Sequence, residues 1–198
     1  MSLLLILLGA TLGPTAAAAR ARYRRPVDIT FPTRRGASYS NDYRAPRTGH
    51  IHRATDLFAR YRTPVYAAKG GRVVWLPKRP HATAGYAIWV RGRDGRTYAY
   101  YHLGRDRRSR RSAYRKGLRK GAFVRRGSRI GYIGSSGNAS MSSPHLHFEI
   151  HGPKVRDPWG GNRINPYFSL RRAERRGNYS RGRGAGSRQR RRGRANRR

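Results

Sequence analysis

The stretch YAIWVRGRDGRTYAYYHL, Tyr86 to Leu103, decides the fold class. It reads as two alternating runs on either side of Asp94-Gly95, a strong short-range signal for an antiparallel hairpin. On its N-terminal side, TPVYAAKGGRVVWL (Thr63 to Leu76) holds two short β-rich runs divided by Lys69-Gly70-Gly71. On its C-terminal side, SRIGYIGSSG (Ser128 to Gly137) is a strand that runs into a Gly/Ser loop, and HLHFEIH (His145 to His151) is a last strand. No segment between His50 and Leu170 keeps a 3.6-residue apolar period over three turns. The pattern therefore predicts an all-β domain of short antiparallel strands. A long basic loop, Gly104 to Gly121, interrupts it, and a loop of that length in a compact domain is functional or disordered.

The rest of the chain frames this domain. Of 198 residues, 46 are Lys or Arg and 8 are acidic, a formal charge of +38. Such a charge attracts polyanions in a salt-sensitive way. Cysteine is absent, which excludes disulfides, thiol catalysis and zinc–thiolate sites. The apolar run Leu3 to Gly13, followed by small residues to Ala19, predicts a cleaved export signal over residues 1–19, although no Lys or Arg precedes the run. The run is too short to span a bilayer, so no transmembrane span is expected after cleavage. A secreted, periplasmic or cell-wall location follows, with anionic envelope polymers rather than a specific nucleic acid as the partner of the charge. Residues 20–49 are basic and broken by prolines, and read as an extended lead-in. The domain is expected over 50–170. Residues 171–198 read as a disordered Arg-rich tail, either a tether to an anionic surface or a solubilising extension.

The histidines are His50, His52, His81, His102, His145, His147 and His151. In a strand, His145 and His147 share one face about 6.7 Å apart, too far for one metal to bind both at ~2.1 Å. Two adjacent roles suit them better, one on a metal and one facing the metal's water or substrate. His52 and Asp56, in HRATD, complete a His, Asp, His set with an open fourth position, as in catalytic zinc sites.

Those residues carry a family resemblance. HRATD, TPVYAAKGGRV, YAYYHL, GSRIGYIGSSG and SPHLHFEI occur in the order of the lysostaphin/LytM-type zinc metallopeptidases, from His52 to INPYFSL (Ile164 to Leu170). The resemblance implies a compact antiparallel β-sheet domain with a groove, the LytM-like barrel-sandwich hybrid, that cleaves peptide bonds in peptidoglycan cross-bridges or stems. It implies Zn²⁺ held by His52, Asp56 and His147. It further implies His145 as general base, and His102 hydrogen-bonding the oxyanion or the attacking water. Ala54 stands where the family has Gly in H-x-G-x-D, so a side chain enters a position that can demand positive φ; Ser136 replaces Thr, and Ser143 a small Gly. A wall-bound module that regulates another hydrolase without cleaving is the alternative. His50 reads as a surface residue, His81 as a loop residue and His151 as a solvated strand end. Glu149 reads either as a carboxylate orienting a ligand imidazole or as a plain strand residue. Most tyrosines of the strands read as packing.

Overall fold

A computed structural model describes residues 25–105, 110–153 and 162–180, so the expected export signal and residues 181–198 lie outside the described residues. In chain order the elements are β1 (Pro46–Arg47), β2 (His50–Ile51), β3 (Thr55–Phe58), β4 (Pro64–Tyr66), β5 (Gly71–Trp75), β6 (Tyr86–Gly92), β7 (Thr97–Leu103), β8 (Phe123–Val124), β9 (Arg129–Tyr132), β10 (His145–His151), β11 (Arg163–Ile164) and one helix, α1 (Pro166–Arg175). The main sheet has the order β11-β10-β7-β6-β5-β8, with β3 also on β10, and two small sheets pair β1 with β2 and β4 with β9. All these pairings are antiparallel and the sheets stay open. The all-β expectation holds, with one helix added. Among the described residues no helix is long and apolar enough to cross a membrane.

The hairpin forms where Asp94-Gly95 predicts it, with a three-residue loop. The Gly92 N–H donates to the Arg96 carbonyl (2.9 Å), and Gly95 takes φ +74°. That is the three-residue turn in which a glycine occupies the left-handed position. Asp94 also accepts from the Tyr98 hydroxyl at 2.6 Å and so fixes the turn to its own strand.

Alternation then separates two faces. Leu146, Phe148 and Ile150 of β10 point into the main core with Leu57, Ile88, Val90, Tyr98 and Tyr100, all fully buried. On the other face Trp89, Ala99 and Tyr101 form a smaller cluster with Trp75. Burying a large apolar side chain contributes roughly 1.5–3 kcal/mol, so the core face pins the register of β10, and a one-residue slip would bury the histidines in its place.

Three segments depart from expectation. The lead-in is built into the domain: Val27, Ile29 and Phe31 lie in the main core, and the Val27 N–H donates to Ser169 Oγ at 2.9 Å. The tail does not begin at Arg171. Asn165 caps α1 by accepting from the Tyr167 N–H (3.0 Å), and Pro166 takes the first helical position. Leu170 and Ala173 pack inward, and Tyr179 bridges Phe31. Finally, the described part of the basic loop carries Ala113, Tyr114 and Leu118 into the core, so that part is a packed wall.

Candidate active site

The site is assembled around β10. His145, His147, Glu149 and His151 share one face, as the period of two requires. The register places Asp56 of β3 directly opposite His147 on one side and Tyr101 of β7 opposite it on the other. His52 reaches the same point because Arg53 adopts φ +56°, a left-handed turn that folds the chain back just before β3. The lead-in holds that turn: the His52 N–H donates to the Ala45 carbonyl (3.0 Å) and the Arg53 N–H to that of Tyr43 (2.8 Å). The positive φ falls on Arg53 and not on Ala54, whose methyl group is fully buried. The steric objection to Ala54 therefore does not apply.

Three donor atoms converge. His52 Nε2 lies 3.1 Å from Asp56 Oδ1 and 3.0 Å from His147 Nδ1, and the latter two atoms are 3.1 Å apart. Donors on a tetrahedral zinc at ~2.0–2.2 Å stand roughly 3.4 Å from one another, so this triangle is within a few tenths of an ångström of that spacing. Among the described residues His52, Asp56 and His147 are the one group able to hold a metal. The donor set of two imidazoles and a carboxylate suits zinc.

The local field favours a cation. Asp42, Asp56 and Glu149, three of the eight acidic residues in a strongly basic chain, meet here. Burial disfavours the charged form of His52, yet hydrogen bonds to Asp42 and Asp56 carry its pKa up to about 9. Burial likewise opposes charge on His147, and Asp56 and Glu149 raise it. Burial would raise Asp56, but His147 and His52 hold its carboxyl well below the usual range. In each case a carboxylate and a positive charge stabilise one another out of water.

His102 and His145 flank the triangle. His102 is the extra residue of a β-bulge in β7: Tyr86 pairs with Leu103 and Ile88 with Tyr100, leaving two residues opposite one. It adopts φ +59°, which bulky residues rarely do outside turns and functional sites. The bulge turns its ring onto the site face, with its centroid 4.9 Å from His145 and 5.7 Å from His147. His102 Nδ1 donates to the Ser136 carbonyl at 2.9 Å, leaving Nε2 as an acceptor. Burial, then His147 and His145, push the His102 pKa down to about 3, so the ring is neutral. Ser136 also ties the bulge together, accepting from the Tyr86 N–H and donating to the Leu103 carbonyl. His145 Nδ1 donates to the Ser143 carbonyl (2.9 Å), and its Nε2 lies 4.0 Å from Asp56 Oδ1.

The structure thus brings His52, Asp56, His102, His145 and His147 together. It also brings further residues to the site, Glu149 in the first of its two expected positions, beside a ligand imidazole. Glu149 is buried between His147 and His151. His151 is fully buried and packs on Trp89 at 5.0 Å, so it is not a solvated strand end. Tyr101 lies 5.4 Å from the His147 ring, ring centre to ring centre. Arg47 donates to Asp56 Oδ2 at 3.2 Å. The clue for Glu149 and His151 was their place on the histidine face; Asp42 and Arg47 had no spacing to mark them. His50 is a surface residue bonded to Thr48, and His81 accepts from the Thr83 N–H in its loop.

Comparison with known proteins agrees with this geometry. Residues 50–166 match Peptidase family M23. The chain is 31% identical over 153 residues to an L-Ala–D-Glu endopeptidase of Bacillus subtilis, covering 73% of this chain and 43% of that protein. It is 31% identical over 134 residues to the peptidoglycan DD-endopeptidase ShyB of Vibrio cholerae, covering 66% of this chain and 28% of that one. The chain thus spans less than half the length of either relative. Among solved structures it superposes on LytM of Ruminococcus gnavus with a TM-score of 0.59 at 25% identity, covering 81% of this chain and 66% of that one. The catalytic domain of lysostaphin from Staphylococcus simulans shares the fold, with a TM-score of 0.53 at 24% identity, covering 68% of this chain and 92% of that one. The chain, which brings His52, Asp56, His102, His145 and His147 together, belongs to peptidase family M23.

Proposed function

We propose that this chain is a zinc-dependent endopeptidase that hydrolyses peptide bonds in the cross-links or stem peptides of peptidoglycan. The observation that carries this reading is the triangle of His52 Nε2, Asp56 Oδ1 and His147 Nδ1, 3.0–3.1 Å on a side, with two more imidazoles beside it. The relatives named as L-Ala–D-Glu and DD-endopeptidases support the substrate class.

His52, Asp56 and His147 hold the metal. Zinc, when bound, supplies Lewis-acid polarisation of a carbonyl and acidifies water. His145 is the general base. Its Nδ1–H is committed to Ser143, so its Nε2 takes the proton of the attacking water and returns it to the leaving amine. His102 orients that water by accepting from it at Nε2. A neutral imidazole whose one N–H is given to Ser136 has no second proton for an oxyanion, which supports the water-orienting role over the other. The intact set of His52, Asp56 and His147 speaks against the alternative of a non-catalytic wall-binding regulator, which needs no metal. The basic surface holds the enzyme on anionic envelope polymers outside the cytoplasm, an attraction that weakens with salt.

The test separates binding from chemistry. His147→Ala loses zinc. His145→Ala keeps its zinc and loses at least ~100-fold in cleavage of a cross-linked muropeptide, the lower end of general acid–base contributions. Full zinc in His147→Ala overturns the assignment.

A further inference from the structure

The three donor atoms of the triangle each have a partner behind them. Glu149 Oε1 accepts from His147 Nε2 at 3.2 Å. Asp42 accepts from His52 Nδ1 through both its carboxylate Oδ2 and its backbone carbonyl, each at 3.2 Å. The outer oxygen of Asp56 accepts from Arg47 at 3.2 Å. Glu149 is itself clamped, for its other oxygen accepts from His151 Nε2, from Arg163 Nε at 3.3 Å and from the Tyr101 hydroxyl at 3.4 Å. Three donors on Oε2 leave Oε1 aimed at one acceptor task, the His147 N–H. Asp42 and Arg47 lie before residue 50, where the family match begins.

We infer that Glu149 and Asp42 are positioning residues that fix which nitrogen each imidazole offers to the metal, Nδ1 from His147 and Nε2 from His52. A carboxylate can only accept, and Asp56 faces the inner nitrogens. Once the metal takes up Asp56, Glu149 and Asp42 are the carboxylates left to hold each ring's proton. They hold it on the outer nitrogen and leave the inner lone pair to the metal. Outer partners of this kind orient ligand imidazoles and strengthen them as donors, and their loss weakens metal affinity by about 10–100-fold. The metal centre therefore extends into the lead-in, which supplies Asp42 and Arg47 as well as core residues. The inference rests on the metal reading proposed above.

The experiment is zinc affinity of the full chain by chelator competition, with the His147 and His52 ring nitrogens of the zinc-loaded protein assigned by long-range ¹H–¹⁵N NMR. Glu149→Gln sets an amide NH₂ against the donors of either His151 and Arg163 or His147. It is expected to weaken zinc by about 10–100-fold and to shift the His147 ring out of the single Nε2–H form. Asp42→Ala is expected near 10-fold, the low end of that range, because the backbone carbonyl still accepts. Asp94→Asn, a carboxylate loss in the hairpin turn, controls for general destabilisation and leaves zinc affinity unchanged. Wild-type protein that binds no zinc removes the metal reading and this inference with it. Wild-type protein that binds zinc, with Glu149→Gln binding equally well or with His147 protonated on Nδ1, overturns the inference alone.

Discussion

Two adjacent glycine substitutions, Arg53→Gly and Ala54→Gly, should change stability in opposite directions. Arg53 is exposed and sits at φ +56°, whereas Ala54 has no positive φ and buries its methyl group completely. The left-handed conformation costs an L residue roughly 1–2 kcal/mol. A glycine at position 53 relieves that strain but adds roughly 0.4–1 kcal/mol of unfolded-chain entropy. The net gain is about 0.5–1 kcal/mol. At position 54 glycine relieves nothing. It loses the same entropy and a buried methyl group worth about 0.8 kcal/mol, a net loss of about 1–2 kcal/mol. The two variants therefore differ by about 2 kcal/mol, or about 4–8 °C in Tm at the roughly 2–4 °C per kcal/mol of a chain this size. Thermal unfolding of both variants with and without EDTA measures the difference, and zinc content checks that the triangle survives. An Ala54→Gly protein at least as stable as wild type would show that the backbone at residue 54 does demand glycine, and would refute the reasoning.

Further outcomes follow from the packing and the charge. Deleting residues 181–198 removes nine arginines and should weaken binding to isolated walls at low salt, while cleavage of a small soluble peptide stays unchanged. Deleting from Arg171 instead should unfold the domain, because Ala173 and the Tyr179–Phe31 bridge go with it, and circular dichroism distinguishes the two truncations. Phe148→Ala empties a fully buried site beside Tyr100 and should destabilise by about 3–5 kcal/mol in urea unfolding.

Much of this was legible because a strand's period of two writes its faces directly into the sequence. HLHFEIH shows its apolar and polar sides without any structure, and Asp94-Gly95 marks the hairpin. The position of His147 opposite Asp56 was not legible, since register between strands distant in sequence is set by packing across the sheet. Helix α1 was missed because its arginines hide the apolar stripe, although Asn165-Pro166 is a helix-start signal. The alternation of Val27, Ile29 and Phe31 was a core signal too, masked by the surrounding arginines and prolines. The φ of Arg53 and the bulge at His102 are products of tertiary contacts, and no residue type at those positions announced them.

The most direct test of the central claim is mass spectrometry of muropeptides released from purified sacculi by the zinc-loaded protein, beside a chelated control. New peptide termini that appear only with zinc and disappear in His145→Ala are the predicted result. Intact cross-links and stems in the presence of protein with zinc bound would contradict it.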